Sequence, residues 1–305
     1  MKNNVRGSLL AIEPLSPKQI TEYLNVARRM NPTRPKPLLK NKRVVLLFYE
    51  ASTRTRTSFE FAAKALGATT TLVSASASSI EKGESIIDTG LTLKAIGADA
   101  IIIRHPASGG PYILARHLDI PIINAGDGMH EHPSQALLDS LTMIEHFKTL
   151  KGLRVLITGD ILHSRVARSN VQLLTKMGAR VTLCGPRLLL PEFAAQLAPG
   201  VRLVRDFDEG LQGSQVVMML RVQKERLAGL ELDPREYIAQ YQLTPERLKL
   251  ADKKAIVMHP GPMIRGMEII DEVADGPQSV VTEQVRNGVR VRMAILALHM
   301  KGGRR

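Results

Sequence analysis

Short apolar runs at 43–48, 69–73, 99–103 and 121–123 are separated by helical patterns at 53–66, 84–96 and 111–117. Each run has the length of a buried strand. Strands that alternate with helices in this way predict a parallel sheet joined by crossover helices. A first helix over 17–30, carrying Ile20, Leu24 and Ala27, precedes the series, and Pro32, Pro35 and Pro37 break the chain after it. A longer helix is expected from Pro133 to about Phe147, with Ala136, Leu137, Leu141 and Ile144. A second series then begins, with strands at 153–158, 180–184, 201–204, 215–219 and 255–258 and helices between them, clearest at 164–177. The last helix, about 279–300, carries Val281, Val285, Val289, Met293 and Leu296 and is long enough to return to the first half. The expected fold class is therefore α/β: two doubly wound parallel-sheet domains joined by interdomain helices. The 305 residues suit two domains, expected as 1–138 with the C-terminal helix 285–305 packed back on it, and 139–284.

Several classes of function are excluded at this level. No apolar run approaches the length of a membrane span. The N-terminus leads into only a short small-or-apolar stretch, Ser8 to Ile12, too short for a signal peptide. The single cysteine, Cys184, rules out an internal disulfide and a cysteine-cluster metal site. It ends the run Val181-Thr182-Leu183-Cys184 and is expected to be an inert core thiol. The compartment expected is the cytoplasm. Lys and Arg number 42 against 29 Asp and Glu, a net charge of +13, which fits nucleic acid, a membrane surface or acidic small substrates. Nucleic-acid binders cluster their cations and interleave aromatics. Here aromatics are 4%, Trp is absent and the basic residues are spread, apart from the tail Lys301 to Arg305. No glycine-rich dinucleotide fingerprint, P-loop or nucleophile elbow occurs. His130-Glu131-His132 has no further ligand cluster near it in sequence, so neither metal nor cofactor is expected.

Function is sought where each strand ends, because ligands of open parallel sheets bind beyond the carboxyl ends of the strands. After 43–48 comes Ser52-Thr53-Arg54-Thr55-Arg56-Thr57-Ser58-Phe59-Glu60. It opens a helix with Phe59, Ala62, Ala63 and Leu66 on one face, Gly67 at the stop and Ser52 or Thr53 as N-cap. The free N–H groups of such a first turn, with hydroxyls and Arg54 beside them, form a phosphate cradle. The alternative is a capped helix with solvated arginines. Other strand ends carry Ser74 to Lys82, Arg104-His105-Pro106, Asn124 to Gly128 followed by His132-Pro133-Ser134-Gln135, Gly159-Asp160 with Arg165, Arg221 to Arg226, and His259-Pro260-Gly261-Pro262. This donor set suits two strongly anionic ligands, one per domain. Asp127 reads as a turn former.

Taken in order, Ser52 to Arg56, Lys82-Gly83-Glu84, Arg104 to Pro106, Asn124 to Gly128, His132 to Gln135, Arg221 to Arg226 and His259 to Pro262 closely resemble the catalytic chains of aspartate carbamoyltransferases. The likeness runs from about residue 8 to 300. The Ser-Thr-Arg-Thr-Arg element marks carbamoyltransferases as a group, whereas Arg221-Val222-Gln223-Lys224-Glu225-Arg226 and His259-Pro260-Gly261-Pro262 point to aspartate as acceptor. Ornithine carbamoyltransferases carry His-Cys-Leu-Pro at the latter place, and ornithine or another amino acid is the alternative acceptor. A basic nucleic-acid-binding protein is the alternative of another class.

The resemblance implies transfer of the carbamoyl group of carbamoyl phosphate to L-aspartate in de novo pyrimidine synthesis, by a homotrimer with shared sites, without a cofactor. It leaves open a larger assembly with a regulatory chain. It implies that Ser52, Thr53, Arg54, Thr55 and Arg104 hold the phosphate. Thr55, Arg104 and His132 would face the carbamoyl oxygen, and Gln135 with the Gly261 and Pro262 carbonyls the carbamoyl amide. Arg165, Arg221 and Gln223 would hold aspartate. Ser78 and Lys82, in a long small-residue loop, would enter the neighbouring subunit's site, with Lys82 serving both ligands; a solvated surface loop is the other reading of that stretch. Arg54, Thr55, Lys82, Arg104 and His132 are the implied catalytic residues. Glu50 is implied to pair with Arg165 and Arg226 when the domains close.

Overall fold

The computed structural model describes residues 7–74, 83–222 and 233–300. The chain forms two compact units, Met1–Leu141 with Arg286–Arg305, and Thr142–Val285. The first runs α1 (Pro17–Arg29), β1 (Arg43–Phe48), α2 (Thr53–Ala65), β2 (Thr69–Ser74), α3 (Ile86–Ala95), β3 (Ala100–His105), α4 (Gly110–His117), β4 (Ile122–Asp127) and the start of α5 (Pro133–Phe147). Its four strands are parallel in the order β2-β1-β3-β4. Val44 to Phe48 and Ala100 to Ile103 are buried, as befits central strands covered on both faces. Phe59, Ala62 and Ala63 of α2 and Leu66 just after it are fully buried, and because α2 follows β1 its N-terminus lies beyond the carboxyl end of that strand.

The second unit runs β5 (Arg154–Thr158), α6 (Arg165–Lys176), β6 (Arg180–Cys184), a 3-10 turn Glu192–Leu197, β7 (Arg202–Val204), α7 (Phe207–Leu211), β8 (Val216–Met219), α8 (Pro234–Tyr241), α9 (Pro245–Leu248), β9 (Ile256–Met258) and α10 (Asp271–Ala274). Its strands are parallel in the order β7-β6-β5-β8-β9. The last helix, α11 (Val281–Met300), begins in this unit and ends in the first. Among the described residues no helix is long and apolar enough to cross a membrane.

Three sequence expectations need correction. Strand ends lie later than the apolar runs: Arg104 and His105 belong to β3, and Asn124 to Asp127 belong to β4 rather than to a loop. Polar residues continue β4 because they are satisfied inside it. Asn124 Nδ2 donates to the Leu10 carbonyl at 2.8 Å and to Asp127 Oδ1 at 2.7 Å. Second, the valines of α11 do not define its buried face. Val285 is 47% exposed, while Gln284, Asn287, Val291 and Arg292 are buried. Third, the short helices α7 to α10 of the second unit were not placed individually, being too short for a periodic signal; caps mark α8 and α9 instead. Asp233 and Thr244 precede Pro234 and Pro245, and their side chains accept from the N–H groups of Arg235 and Arg247.

Cys184 lies fully buried at the end of β6, and burial pushes its thiol up to about 12. The native protein is therefore expected to resist a thiol-reactive dye at pH 8 and to take up one equivalent on unfolding. Prompt labelling of folded protein would contradict that core position.

Candidate active site

In each sheet the strand order reverses once, between β1 and β3 in the first unit and between β5 and β8 in the second. Such switch points leave a crevice beyond the strand ends. In the first unit Ser52 occupies the N-cap position of α2, yet its side chain makes no capping hydrogen bond, and the first turn holds no acidic residue. The Thr53, Arg54 and Thr55 N–H groups precede the first intrahelical bond, from Arg56 N to the Ser52 carbonyl. The expected N-cap is thus correct in position but not in bonding, and the helix end is an uncompensated positive pole. Arg54 beside it is partly desolvated, and that burial lowers its guanidinium pKa from the ordinary value.

Around this pole the neighbouring strands supply the rest. Phe48 is in register with Arg104, and the pairing of β3 with β4 slips between Ile103 and His105, at Arg104. Such an irregularity re-aims a side chain. Arg104 Nε donates to Glu50 Oε2 at 3.1 Å, and its Nη1 to the Ala125 carbonyl at 3.4 Å. Glu50 is thus engaged within its own unit. His132, just before α5, is buried, with Nε2 3.4 Å from the Thr55 hydroxyl. One turn on, Gln135 donates its amide N–H to Asp139 Oδ1 at 2.9 Å.

Asp127 fixes the approach to His132. Its buried carboxylate accepts from Gly109 N at 2.7 Å, from Glu131 N at 3.2 Å and from Asn124. Burial alone would raise its pKa; the bonds from His130, Gly109 and Asn124 outweigh it and hold the group below the ordinary carboxylate value. It is structural, as its turn-forming type suggested. The Glu131 carboxylate accepts from Ile12 N and Glu13 N. Among the described residues no group of three or more His, Cys, Asp or Glu could hold a metal ion.

In the second unit Arg165 opens α6 after the Ser164 cap, and Arg221 follows β8, so the two arginines flank the reversal between β5 and β8. Gly159 at the end of β5 has φ +124°, and a Cβ there would lie 2.5 Å from the Leu220 carbonyl oxygen. Only glycine lets the two strand ends come this close. Arg221 Nε is buried with no hydrogen-bond partner among the described residues. The loop after β9 is pinned by buried groups. His259 Nδ1 accepts from Gly261 N at 2.8 Å, which leaves Nε2–H to donate to Glu268 Oε1 at 3.0 Å. Glu268 also accepts from Ile264 N at 2.7 Å, so the Gly261 and Pro262 carbonyls sit on a braced loop. Ser78, Lys82, Gln223 and Arg226 lie outside the described residues.

The first unit therefore gathers Ser52, Thr53, Arg54, Thr55, Arg104, His132 and Gln135 around one helix N-terminus and the adjoining strand ends. Sequence reading missed Glu268, Asp139 and Arg292 as supporting groups. Of these only Asp139 left a signal, four residues after Gln135 on one helix.

A cationic helix N-terminus at the switch point of one parallel sheet, followed by a second unit of the same build, suits an enzyme that brings together two anionic ligands. Two family profiles match: the aspartate/ornithine carbamoyltransferase carbamoyl-P binding domain over residues 8–145, and the Asp/Orn binding domain over residues 151–299. The chain belongs to the aspartate/ornithine carbamoyltransferase family and is a carbamoyltransferase. It is 61% identical over 296 residues to an aspartate carbamoyltransferase catalytic subunit of Koribacter versatilis, covering 97% of this chain and 98% of that one. It is 52% identical over 303 residues to the subunit of the same description from Moorella thermoacetica, covering 97% and 98%. Among solved structures it resembles an aspartate transcarbamoylase of Trypanosoma cruzi in complex with carbamoyl phosphate and aspartate, with TM-score 0.85, 31% identity and coverage of 96% and 97%. It resembles the ornithine carbamoyltransferase of Pyrococcus furiosus equally in shape, with TM-score 0.89, 29% identity and coverage of 98% and 99%. Shape alone does not separate the two acceptors.

Proposed function

We propose that this is a cytoplasmic enzyme that transfers the carbamoyl group of carbamoyl phosphate to the amine of L-aspartate. The products are N-carbamoyl-L-aspartate and phosphate, in pyrimidine synthesis. The observation that carries the reading is the uncapped, acid-free N-terminus of α2, ringed by Arg54, Arg104, Thr55 and His132. Backbone N–H groups and arginines there suit the phosphate. His132, Thr55 and Arg104 lie where donors could meet the carbamoyl oxygen, which gains negative charge as the amine attacks. The leaving phosphate can itself take the amine proton, so no protein base is needed. Much of the rate would come from holding two mutually repelling anions together. For the acceptor, Arg165 and Arg221 offer planar forks for two carboxylates, with Gln223 in support, and the braced Gly261 and Pro262 carbonyls offer acceptors for nitrogen. The reading includes a homotrimer in which a neighbour's Ser78 and Lys82 complete each site. Carbamoyl transfer assayed with L-aspartate and with L-ornithine tests it: turnover is expected with aspartate and essentially none with ornithine. Equal or better rates with ornithine would overturn the acceptor assignment.

Glu50 provides a second test. Its carboxylate accepts from Arg104 Nε, so removing it releases that nitrogen from this bond while the bond from Nη1 to the Ala125 carbonyl remains. Glu50→Ala is expected to keep carbamoyl phosphate affinity while lowering both aspartate affinity and rate. Unchanged aspartate kinetics would exclude a role for Glu50 in aspartate binding.

A further inference from the structure

The buried end of Gln135 leads away from the cradle into a chain of groups that no substrate contact accounts for. Gln135 Nε2 donates to Asp139 Oδ1 at 2.9 Å, and Asp139 is fully buried. Arg292, from α11, is also buried, with its guanidinium 5.0 Å from the centre of the Phe59 ring, and Phe59 belongs to α2. Arg292 Nε has no hydrogen-bond partner among the described residues. Burial pulls the Arg292 guanidinium down to about 10, Asp139 opposes that shift, and the side chain stays a cation at neutral pH. Space for it comes from Gly288, where a Cβ would lie 2.4 Å from Arg292 Nη1. A cation is costly inside a core unless an anion balances it.

We propose that Asp139 and Arg292 are positioning residues that fix which end of the Gln135 amide meets the ligand. An ionised carboxylate only accepts hydrogen bonds, so it holds the amide nitrogen and leaves the Gln135 carbonyl oxygen as the end available outward. A flipped amide would set oxygen against oxygen. The Arg292 cation keeps Asp139 ionised and therefore keeps the amide from flipping. The consequence is selectivity: an outward carbonyl accepts from the –NH2 of a carbamoyl group and gains nothing from the methyl of an acetyl group of the same shape. The inference rests on Gln135 contacting the carbamoyl amide, as in the function proposed above.

The experiment measures binding of carbamoyl phosphate and of acetyl phosphate to the full-length protein, together with thermal stability. Wild type is expected to prefer carbamoyl phosphate, and Gln135→Ala to lose about two- to tenfold of that preference, the worth of one hydrogen bond. The double variant Asp139→Leu with Arg292→Met removes both charges and should remain folded, since apolar replacements of a buried pair are often neutral. It is expected to lose the preference as fully as Gln135→Ala. Asp139→Asn puts a donor beside the acceptor and can hold the Gln135 amide either way round, so it too is expected to lose most of the preference, and to melt lower because Arg292 is unbalanced. A merely structural role would weaken both ligands together and track stability. The inference is overturned if the folded double variant or Asp139→Asn keeps the wild-type preference. Should the double variant not fold, Asp139→Asn decides alone. A wild type that binds neither compound overturns the proposed function, and this inference with it, whereas tight carbamoyl phosphate binding with unchanged preference in the variants overturns the inference alone.

Discussion

In the homotrimer proposed above, Arg54→Ala and Lys82→Ala variants, each nearly inactive alone, are expected to regain about one quarter of wild-type activity when dissociated, mixed equally and reassociated. Arg54 stands in the first turn of α2, a turn that holds no acidic residue. Removing it takes a cation from the site proposed to hold phosphate, and loss of one such donor commonly costs ~2.7–4 kcal/mol in the transition state. Lys82 belongs to the stretch between β2 and α3, read from the sequence as reaching a neighbour's site. If it does, a single site draws Arg54 and Lys82 from different chains. In a cyclic trimer of either mixed composition one interface joins an intact Arg54 to an intact Lys82, so one site of three works. Equal random mixing makes about three quarters of the trimers mixed, which gives the quarter. Mixtures that exchange subunits fully, by native mass spectrometry, and stay as inactive as their parents would show that Lys82 serves its own chain or no site.

Arg221→Ala is expected to lower kcat/KM for aspartate by roughly 10²–10³-fold, since leaving a buried charge without its partner costs ~2–5 kcal/mol. Carbamoyl phosphate affinity should be nearly unchanged. Two observations motivate the size and the asymmetry. Arg221 follows β8 at the strand reversal of the second unit, whereas the phosphate cradle is built from the first. Its Nε is buried with no partner among the described residues, a cost that a bound carboxylate would offset. Arg221→Lys should recover little, because an ammonium cannot reproduce the planar fork. A collapse of carbamoyl phosphate binding with aspartate affinity retained would reverse the assignment of ligands to units.

Much of this was legible in the sequence because it is encoded locally. Apolar runs of strand length alternating with helical stripes determined two parallel sheets, and a helix-opening Ser-Thr-Arg-Thr after a buried strand determined where α2 begins. Asp127, Cys184 and the buried face of α2 were likewise decided by residue type and spacing. What only the tertiary structure decided depends on residues distant in the chain. The strand order put the reversals between β1 and β3 and between β5 and β8, and so gathered Glu50 with Arg104 and set Arg165 and Arg221 at the second reversal. It let polar residues continue β4, because Leu10 supplies a partner 114 positions away. It buried Gln284, Asn287 and Arg292 of α11 beside that helix's apolar residues, and Arg292 finds Phe59 to stack on and Asp139 to balance it, whereas periodicity weighs only apolar side chains. A buried charge is tolerable only where the fold brings its counter-charge, and no local pattern reveals that pairing.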